Sequence, residues 1–225
     1  MTTHRSTALA GVAGIAFAVL SVSRVLYSGE INLPTWEDSP AKIADYYHGL
    51  PLDGVSAVAM LSVLVGYSLF LVFIAKAISV LLPEHDDHRW AAGWIFAFAA
   101  MDVGLIFFYV GLGGGARQMS AIGITNPDIY AAFHAARYGL YWVDLVLQPF
   151  WLAPLGYLIV VTRRFPRWLG VVMLATAAVQ PAAFFLPAPI WDITGFTYLW
   201  VLVGGIVMVV RRERYAPEPS KLTTN

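Results

Sequence analysis

Five polar side chains recur along one apolar segment at the spacing of a single helical face. The intervals between them are 3, 4, 3 and 4 residues, which places all five on one side of an α-helix. They are His134, Arg137, Tyr141, Asp144 and Gln148. A charged residue facing lipid costs about 2.5–3.5 kcal/mol at the centre of a bilayer on insertion scales. The spacing therefore predicts that this polar stripe faces the interior of a helix bundle.

Other apolar segments carry single polar groups that could approach the stripe. Asp102 lies near the middle of one such segment, and Tyr109 follows seven residues later on the same helical face. The remaining candidates are Arg24, Gln180, Trp191 and Asp192. In a six-span topology these groups fall in the middle or outer half of the membrane. We therefore expect one polar, aromatic-walled cavity that opens outward, built from spans one, three, four, five and six.

Two carboxyl groups in such a cavity suit acid–base chemistry. We expect Asp102 and Asp144 to be catalytic, because a low-dielectric site keeps one carboxyl protonated near neutrality, and a protonated carboxyl is a general acid. Aromatic rings stabilise a developing cation. This combination predicts an enzyme for isomerisation, cyclisation or hydrolysis of an isoprenoid- or lipid-like molecule. The expected substrate-binding residues are Arg24, Tyr109, His134, Arg137, Tyr141, Gln148, Gln180, Trp191 and Asp192.

The same residues allow purely structural roles and two other function classes. Asp144 could pair with Arg137 or Arg24, and Asp102 could bond to a tyrosine, since such pairs hold membrane helices together. A lone His134 at headgroup depth would be interfacial. A proton-coupled carrier would use the carboxyls as a proton relay, whereas a non-catalytic lipid-binding or accessory subunit needs only a cavity or an exposed helix face.

Composition identifies the class of protein that must position these groups. Of 225 residues, 59% are apolar and 12% are charged, with 14 basic and 14 acidic side chains and a mean hydropathy of +0.67. These values exclude a disordered chain, a nucleic-acid binder with a basic face and most soluble enzymes. Six apolar stretches are long enough to be helical spans. They cover residues 7–27, 54–82, 90–113, 140–162, 168–187 and 190–210, and the fourth helix is expected to begin near Pro127.

The basic residues give the expected orientation. With a cytoplasmic N-terminus, ten Lys and Arg side chains fall on the inner side and four on the outer side, as the positive-inside rule requires. We therefore predict an all-α integral membrane protein: a bundle of six transmembrane helices with both termini cytoplasmic, multi-pass in the plasma membrane. Residues 1–214 form the single domain, and residues 215–225 form a polar, disordered tail.

Two outer connections carry further expectations. After span one, Ser39 and Pro40 predict the start of a short helix over residues 41–48, with proline in its first turn. The second outer connection, residues 113–127, contains several glycines, and we expect it to be a mobile loop.

Cofactors and metals are not expected. The chain has no cysteine, and the sequence His85-Asp86-Asp87-His88 favours a solvated turn, since contiguous loop residues rarely form a closed metal site. The expected partners are membrane lipids, a hydrophobic small molecule, and further copies of the chain or a larger membrane complex, with no nucleic acid.

Two short segments resemble a known family. Ser39-Pro40-Ala41-Lys42-Ile43-Ala44-Asp45-Tyr46-Tyr47 follows span one, and Phe165-Pro166-Arg167-Trp168-Leu169-Gly170 leads span five. With the spacing of six spans around them, they resemble a bacterial family of small six-helix integral membrane proteins of unknown function. The resemblance implies the fold and carries no activity.

Overall fold

The chain folds into helices. The computed structural model describes residues 2–27, 33–35, 37–51, 53–82, 88–181 and 195–211. Within those ranges there are seven α-helices and no strand. They are α1 (Thr2–Tyr27), α2 (Pro40–His48), α3 (Gly54–Leu81), α4 (Arg89–Ala121), α5 (Pro127–Thr162), α6 (Arg167–Val179) and α7 (Gly195–Val210).

Four of these helices, α1, α3, α4 and α5, are long and apolar enough to cross a membrane, and they indicate a membrane protein. The apolar helices α6 and α7 are shorter within the described part of the chain. The predicted fifth and sixth spans run partly through residues 182–194, which lie outside the described residues, as do the tail at 215–225 and residues 85–87 of the His-Asp-Asp-His sequence.

The outward helix surfaces are apolar. Val58 on α3 and Phe108 on α4 are 66% and 70% exposed, and many other large apolar side chains on the long helices are exposed as well. Such a surface is expected where lipid replaces water as the solvent. Trp90 and Trp168, exposed at the starts of α4 and α6, match the aromatic belt of a membrane interface.

Glycines allow two pairs of helices to approach closely. A Cβ atom added to Gly205 of α7 would lie 2.6 Å from the carbonyl oxygen of Gly11 in α1. A Cβ on Gly170 of α6 would lie 2.6 Å from the carbonyl oxygen of Gly156 in α5. Backbone contact at small residues is a common mode of helix packing in membranes, and it holds α7 against α1 and α6 against α5.

The short helix α2 confirms the expectation for residues 41–48. The Ser39 side chain accepts a hydrogen bond from the Lys42 amide at 3.3 Å, and Pro40 occupies the first turn. The buried side chains Ile43 and Tyr47 pack with Tyr130 of α5. Thus α2 lies across the end of the bundle where α4 ends and α5 begins, called the α2 end below.

The loop expected over residues 113–127 is confined to residues 122–126. Helix α4 continues to Ala121, and α5 begins at Pro127 as predicted. Gly113, Gly114 and Gly115 lie inside α4, where their missing side chains leave space that neighbouring side chains fill, whereas Gly123, with φ +79°, lies in the turn after the helix. A Cβ on Gly113 would lie 2.9 Å from the Arg137 guanidinium carbon, and one on Gly114 would lie 2.9 Å from the terminal methyl of Met60.

Candidate functional site

A cavity of about 100 Å³ lies near the midpoints of the long helices. Helices α1, α3, α4, α5 and α7 contribute its wall, and most of the wall is aromatic. The lining residues are Phe17, Tyr67, Phe70, Asp102, Ile106, Tyr109, Tyr141, Asp144, Gln148, Thr197 and Tyr198. The expected aromatic-walled polar cavity therefore has a counterpart in the structure.

Two carboxyl groups meet at this cavity. Asp102 of α4 and Asp144 of α5 are buried, with 3% and 2% exposure, and both line the same cavity. Asp102 Oδ2 accepts a hydrogen bond from the Trp151 indole at 3.1 Å, and Asp144 Oδ2 accepts one from the Gln148 amide at 2.9 Å. Oδ1 of each carboxyl has no donor among the described residues. One oxygen of each carboxyl is thus fixed, and the other is left for the partner carboxyl or a ligand.

A second amide extends this network away from the cavity. Gln180, which directly follows α6, donates from its side chain to the Gln148 carbonyl oxygen at 2.5 Å. This bond fixes which way the Gln148 amide points, because its oxygen accepts from Gln180 while its nitrogen donates to Asp144. Gln180 therefore orients the cavity wall without belonging to it.

Aromatic rings close the other side of the cavity. The hydroxyl groups of Tyr67 and Tyr198 are 3.2 Å apart. The Phe17 ring lies 5.0 Å from the Tyr67 ring and 5.6 Å from the Tyr198 ring, centroid to centroid. Phe70 packs at 5.4 Å on Trp151. The indole that donates to Asp102 is thereby held in place by the apolar core.

Arg137 connects the cavity wall to α2. Its guanidinium carbon lies 4.1 Å from the centroid of the Tyr109 ring, a cation–π geometry. Its Nη1 donates to the Tyr47 hydroxyl at 3.4 Å. Gly113 leaves the space that the guanidinium fills. Arg137 therefore supports the cavity through Tyr109 and does not line it.

His134 fastens α2 and the preceding segment to α5. It is 1% exposed, with Nε2 at 2.9 Å from the Pro34 carbonyl oxygen and Nδ1 at 3.2 Å from the Tyr47 hydroxyl. Because the carbonyl can only accept, Nε2 carries the proton in the neutral ring and Nδ1 accepts from Tyr47. This places His134 in the connection between α2 and α5, outside the cavity.

The charged side chains at the surface near α2 form a local ion pair and a helix cap. Asp38 forms an ion pair with Lys42 at 2.6 Å. The Lys42 ammonium and the Thr35 amide, both hydrogen-bonded to this carboxylate, hold the pKa of Asp38 below its usual value. At the start of α3, the Asp53 side chain accepts a hydrogen bond from the Ser56 amide, and this bond lowers the pKa of Asp53.

The structure brings together about half of the predicted site. The candidates that line the cavity are Asp102, Tyr109, Tyr141, Asp144 and Gln148, while Gln180, Arg137 and His134 lie behind or beyond its wall. The side chain of Arg24 and residues Trp191 and Asp192 lie outside the described parts of the chain. The predicted wall differs from the observed one at two helices: α3, which was not expected, contributes Tyr67 and Phe70, whereas α6, the expected span five, contributes none of the lining residues.

The alternative pairings differ from those observed. Asp144 receives its hydrogen bond from Gln148 rather than Arg137, and Asp102 receives one from a tryptophan rather than a tyrosine. Trp151 was not a candidate, although it stands three residues after Gln148 and continues the stripe at the same spacing. Among the residues described, no group of three or more His, Cys, Asp or Glu side chains could hold a metal.

No protein-family model, curated protein or solved structure matches this chain. The resemblance to a six-helix membrane family therefore stays a prediction.

Proposed function

We propose that this protein is a small membrane-embedded enzyme that performs acid–base chemistry on a hydrophobic, lipid-like substrate in the cavity around Asp102 and Asp144. One observation carries the proposal: two carboxyl groups from different helices meet at one cavity, each with one oxygen fixed by a neutral donor. An enzyme of this class requires both carboxyls within reach of one ligand.

The pair provides both an acid and a base. Two deprotonated carboxylates offer only acceptors, so two that lie side by side in a buried site are stabilised by sharing one proton. The protonated member donates to a substrate, and the ionised member accepts a proton from it, as in other paired-carboxyl sites. The aromatic wall adds attraction for positive charge that develops during such a transfer.

The membrane setting of the proposal is a six-span plasma-membrane protein with both termini in the cytoplasm and the α2 end outside. The four long apolar helices, their exposed apolar faces and the basic residues at the end opposite α2 support it. Its lipid-facing surface gives a membrane-dissolved substrate access without passage through water.

The carrier alternative finds less support. A carrier needs polar groups through both halves of the bundle, yet the buried α5 side chains beyond Trp151 are Leu152, Leu155, Leu158 and Ile159. The polar network among the described residues ends at Gln180 on that side. An acid–base site requires no such path.

The test compares conversion of a lipid-soluble substrate by matched variants. Purified protein in lipid nanodiscs is incubated with a panel of prenols and polar-lipid extracts, and products are analysed by mass spectrometry. Asp102→Asn and Asp144→Asn should each slow conversion about 10²–10⁴-fold, the usual contribution of a general acid or base. Asp128→Asn, which changes an exposed carboxylate on the same helix, should retain the wild-type rate. Conversion that survives both cavity substitutions in folded protein refutes the proposal.

A further inference from the structure

Three buried oxygen atoms at one cavity have no hydrogen-bond donor. They are Asp102 Oδ1, Asp144 Oδ1 and Thr197 Oγ1, and no donor reaches them from any described residue. Their side chains are 3%, 2% and 7% exposed, and all three line the cavity. Buried polar atoms are nearly always satisfied by protein, water or a ligand. Three such atoms around one small space point to an occupant that brings donors.

The charge of the site limits the chemical class of ligand that can occupy the cavity. The donors that contact the two carboxyls, the Trp151 indole and the Gln148 amide, are neutral. Arg137 stands seven residues before Asp144 on α5, ~10 Å along the helix axis, and its guanidinium rests on the Tyr109 ring. A carboxyl pair that holds one proton still carries one negative charge, and a buried charge is stabilised by an opposite one.

From these contacts we infer that the cavity takes a primary ammonium group at the end of an apolar chain. A primary ammonium carries three N–H donors and one positive charge. A carboxyl oxygen keeps acceptor capacity when one proton is shared by the pair, so the three N–H donors can still meet Oδ1 of each carboxyl and the Thr197 oxygen. The ammonium also neutralises the pair and places its first carbon atoms among aromatic rings that attract cations. The inference names the substrate class for the proposed acid–base site and rests on that proposal.

The size of the cavity fits the reacting end of such a molecule. A water molecule occupies about 30 Å³ in the liquid, so a space of about 100 Å³ holds an ammonium nitrogen and one or two carbons. Ile106 and Tyr141 in the wall are half-buried. A longer chain would leave the cavity on their side of the wall.

The proposed role of the ionised carboxyl follows directly. It takes one proton from the ammonium, which leaves a neutral amine with its lone pair and a protonated carboxyl; no other bond changes and no co-reactant is needed. The acid–base pair thereby converts an inert ammonium into a nucleophilic amine next to the aromatic wall.

The experiment measures binding of small cations to purified protein in nanodiscs by calorimetry. The probes are methylammonium, ethylammonium, tetramethylammonium, sodium ion and ethanol at constant ionic strength. Saturable binding of methylammonium and ethylammonium, at least tenfold tighter than of tetramethylammonium, sodium or ethanol, is expected. Equal or tighter binding of tetramethylammonium, which has no N–H donor, overturns the inference, as does equal binding of sodium.

Substitutions then assign the three oxygens. Thr197→Val removes one acceptor and should weaken methylammonium binding about tenfold, the equivalent of one hydrogen bond to a charged group. Thr176→Val is the matched control, because the Thr176 hydroxyl bonds to the Val172 carbonyl within α6, and it should leave binding unchanged. Equal affinities for these two variants and the wild type would remove Thr197 from the site and overturn the three-acceptor geometry.

The two proposals can fail separately. If a neutral lipid is converted with dependence on Asp102 and Asp144 while no ammonium binds, the acid–base function stands and the ammonium inference is wrong. If ammonium binds and depends on Thr197 while the carboxyl substitutions leave every conversion unchanged, the inference stands as a binding site and the enzymatic function is wrong.

Discussion

The indole–carboxylate bond at the cavity can be isolated because the core contains two comparable tryptophans. Trp151 and Trp200 are 0% and 4% exposed, and their rings lie 5.8 Å apart. Trp151 donates to Asp102, whereas the Trp200 indole nitrogen has no acceptor among the described residues. Replacing each by phenylalanine removes the same atoms from neighbouring positions, and only Trp151→Phe also removes a hydrogen bond.

The expected difference follows from that bond. The two substitutions should lose similar amounts of hydrophobic transfer free energy and leave cavities of similar cost, because both rings are buried in the same aromatic cluster. A buried acceptor that loses its donor costs about 1–3 kcal/mol. Trp151→Phe should therefore lower the free energy of unfolding by ~1–3 kcal/mol more than Trp200→Phe. SDS titration of protein in detergent micelles, followed by circular dichroism, measures both values.

A double-mutant cycle supplies the control. In an Asp102→Ala background the acceptor is absent, so the difference between Trp151→Phe and Trp200→Phe should disappear. Equal destabilisation by the two substitutions in the wild-type background would refute the assigned hydrogen bond, and with it the view that Trp151 holds one oxygen of the carboxyl pair.

Three smaller predictions concern the frame around the cavity. Gly170→Ala should destabilise the protein by ~1–3 kcal/mol, because its Cβ overlaps a backbone carbonyl, whereas Gly104→Ala, with open space around it, should not; thermal unfolding compares them. Tyr47→Phe removes the hydroxyl shared with His134 and should speed amide hydrogen exchange in α2, and unchanged exchange would count against the proposed anchoring. Asp38 has a folded-state pKa below its ordinary 3.8, so it stabilises the fold above that pH and the contribution is lost as pH falls through the lowered value; acid titration of Asp38→Asn should show a shallower loss.

The long helices are predictable from the sequence because a bilayer core of fixed thickness requires long apolar segments. The α5 stripe was also predictable, since polar residues at intervals of three and four must share a face. The residues of the stripe nevertheless have two different roles: Asp144 and Gln148 line the cavity, while His134 anchors α2. A helical face specifies direction only. The role of each side chain depends on which helix packs against that turn of α5, and the spacing along the sequence does not identify that helix.

The partners of the carboxyls were harder to predict for a chemical reason. Polar residue types such as Asp, Gln, Arg and His are recognisable in an apolar segment, whereas the donor to Asp102 is the single N–H of a large, mostly apolar side chain. Trp151 continues the stripe at the correct spacing, but a tryptophan in an apolar helix is expected to be a core residue. Similarly, a single threonine in an apolar helix does not indicate a site by its type. Only the structure shows that the Thr197 oxygen is buried at the cavity without a donor among the described residues.

The meeting of Asp102 and Asp144 was, in contrast, within reach of simple geometry. Asp102 lies 19 residues before the end of α4, and Asp144 lies 17 residues after the start of α5. At 1.5 Å per residue these are ~28 and ~26 Å from the turn that joins the two helices, so an antiparallel hairpin places the carboxyls at the same depth. The expectation of a mobile glycine loop at residues 113–127 concealed this register. Gly113, Gly114 and Gly115 instead lie inside α4, and Arg137 packs into the space beside Gly113, so α4 and α5 pack closely along the part of the hairpin that leads from the turn to the two carboxyls.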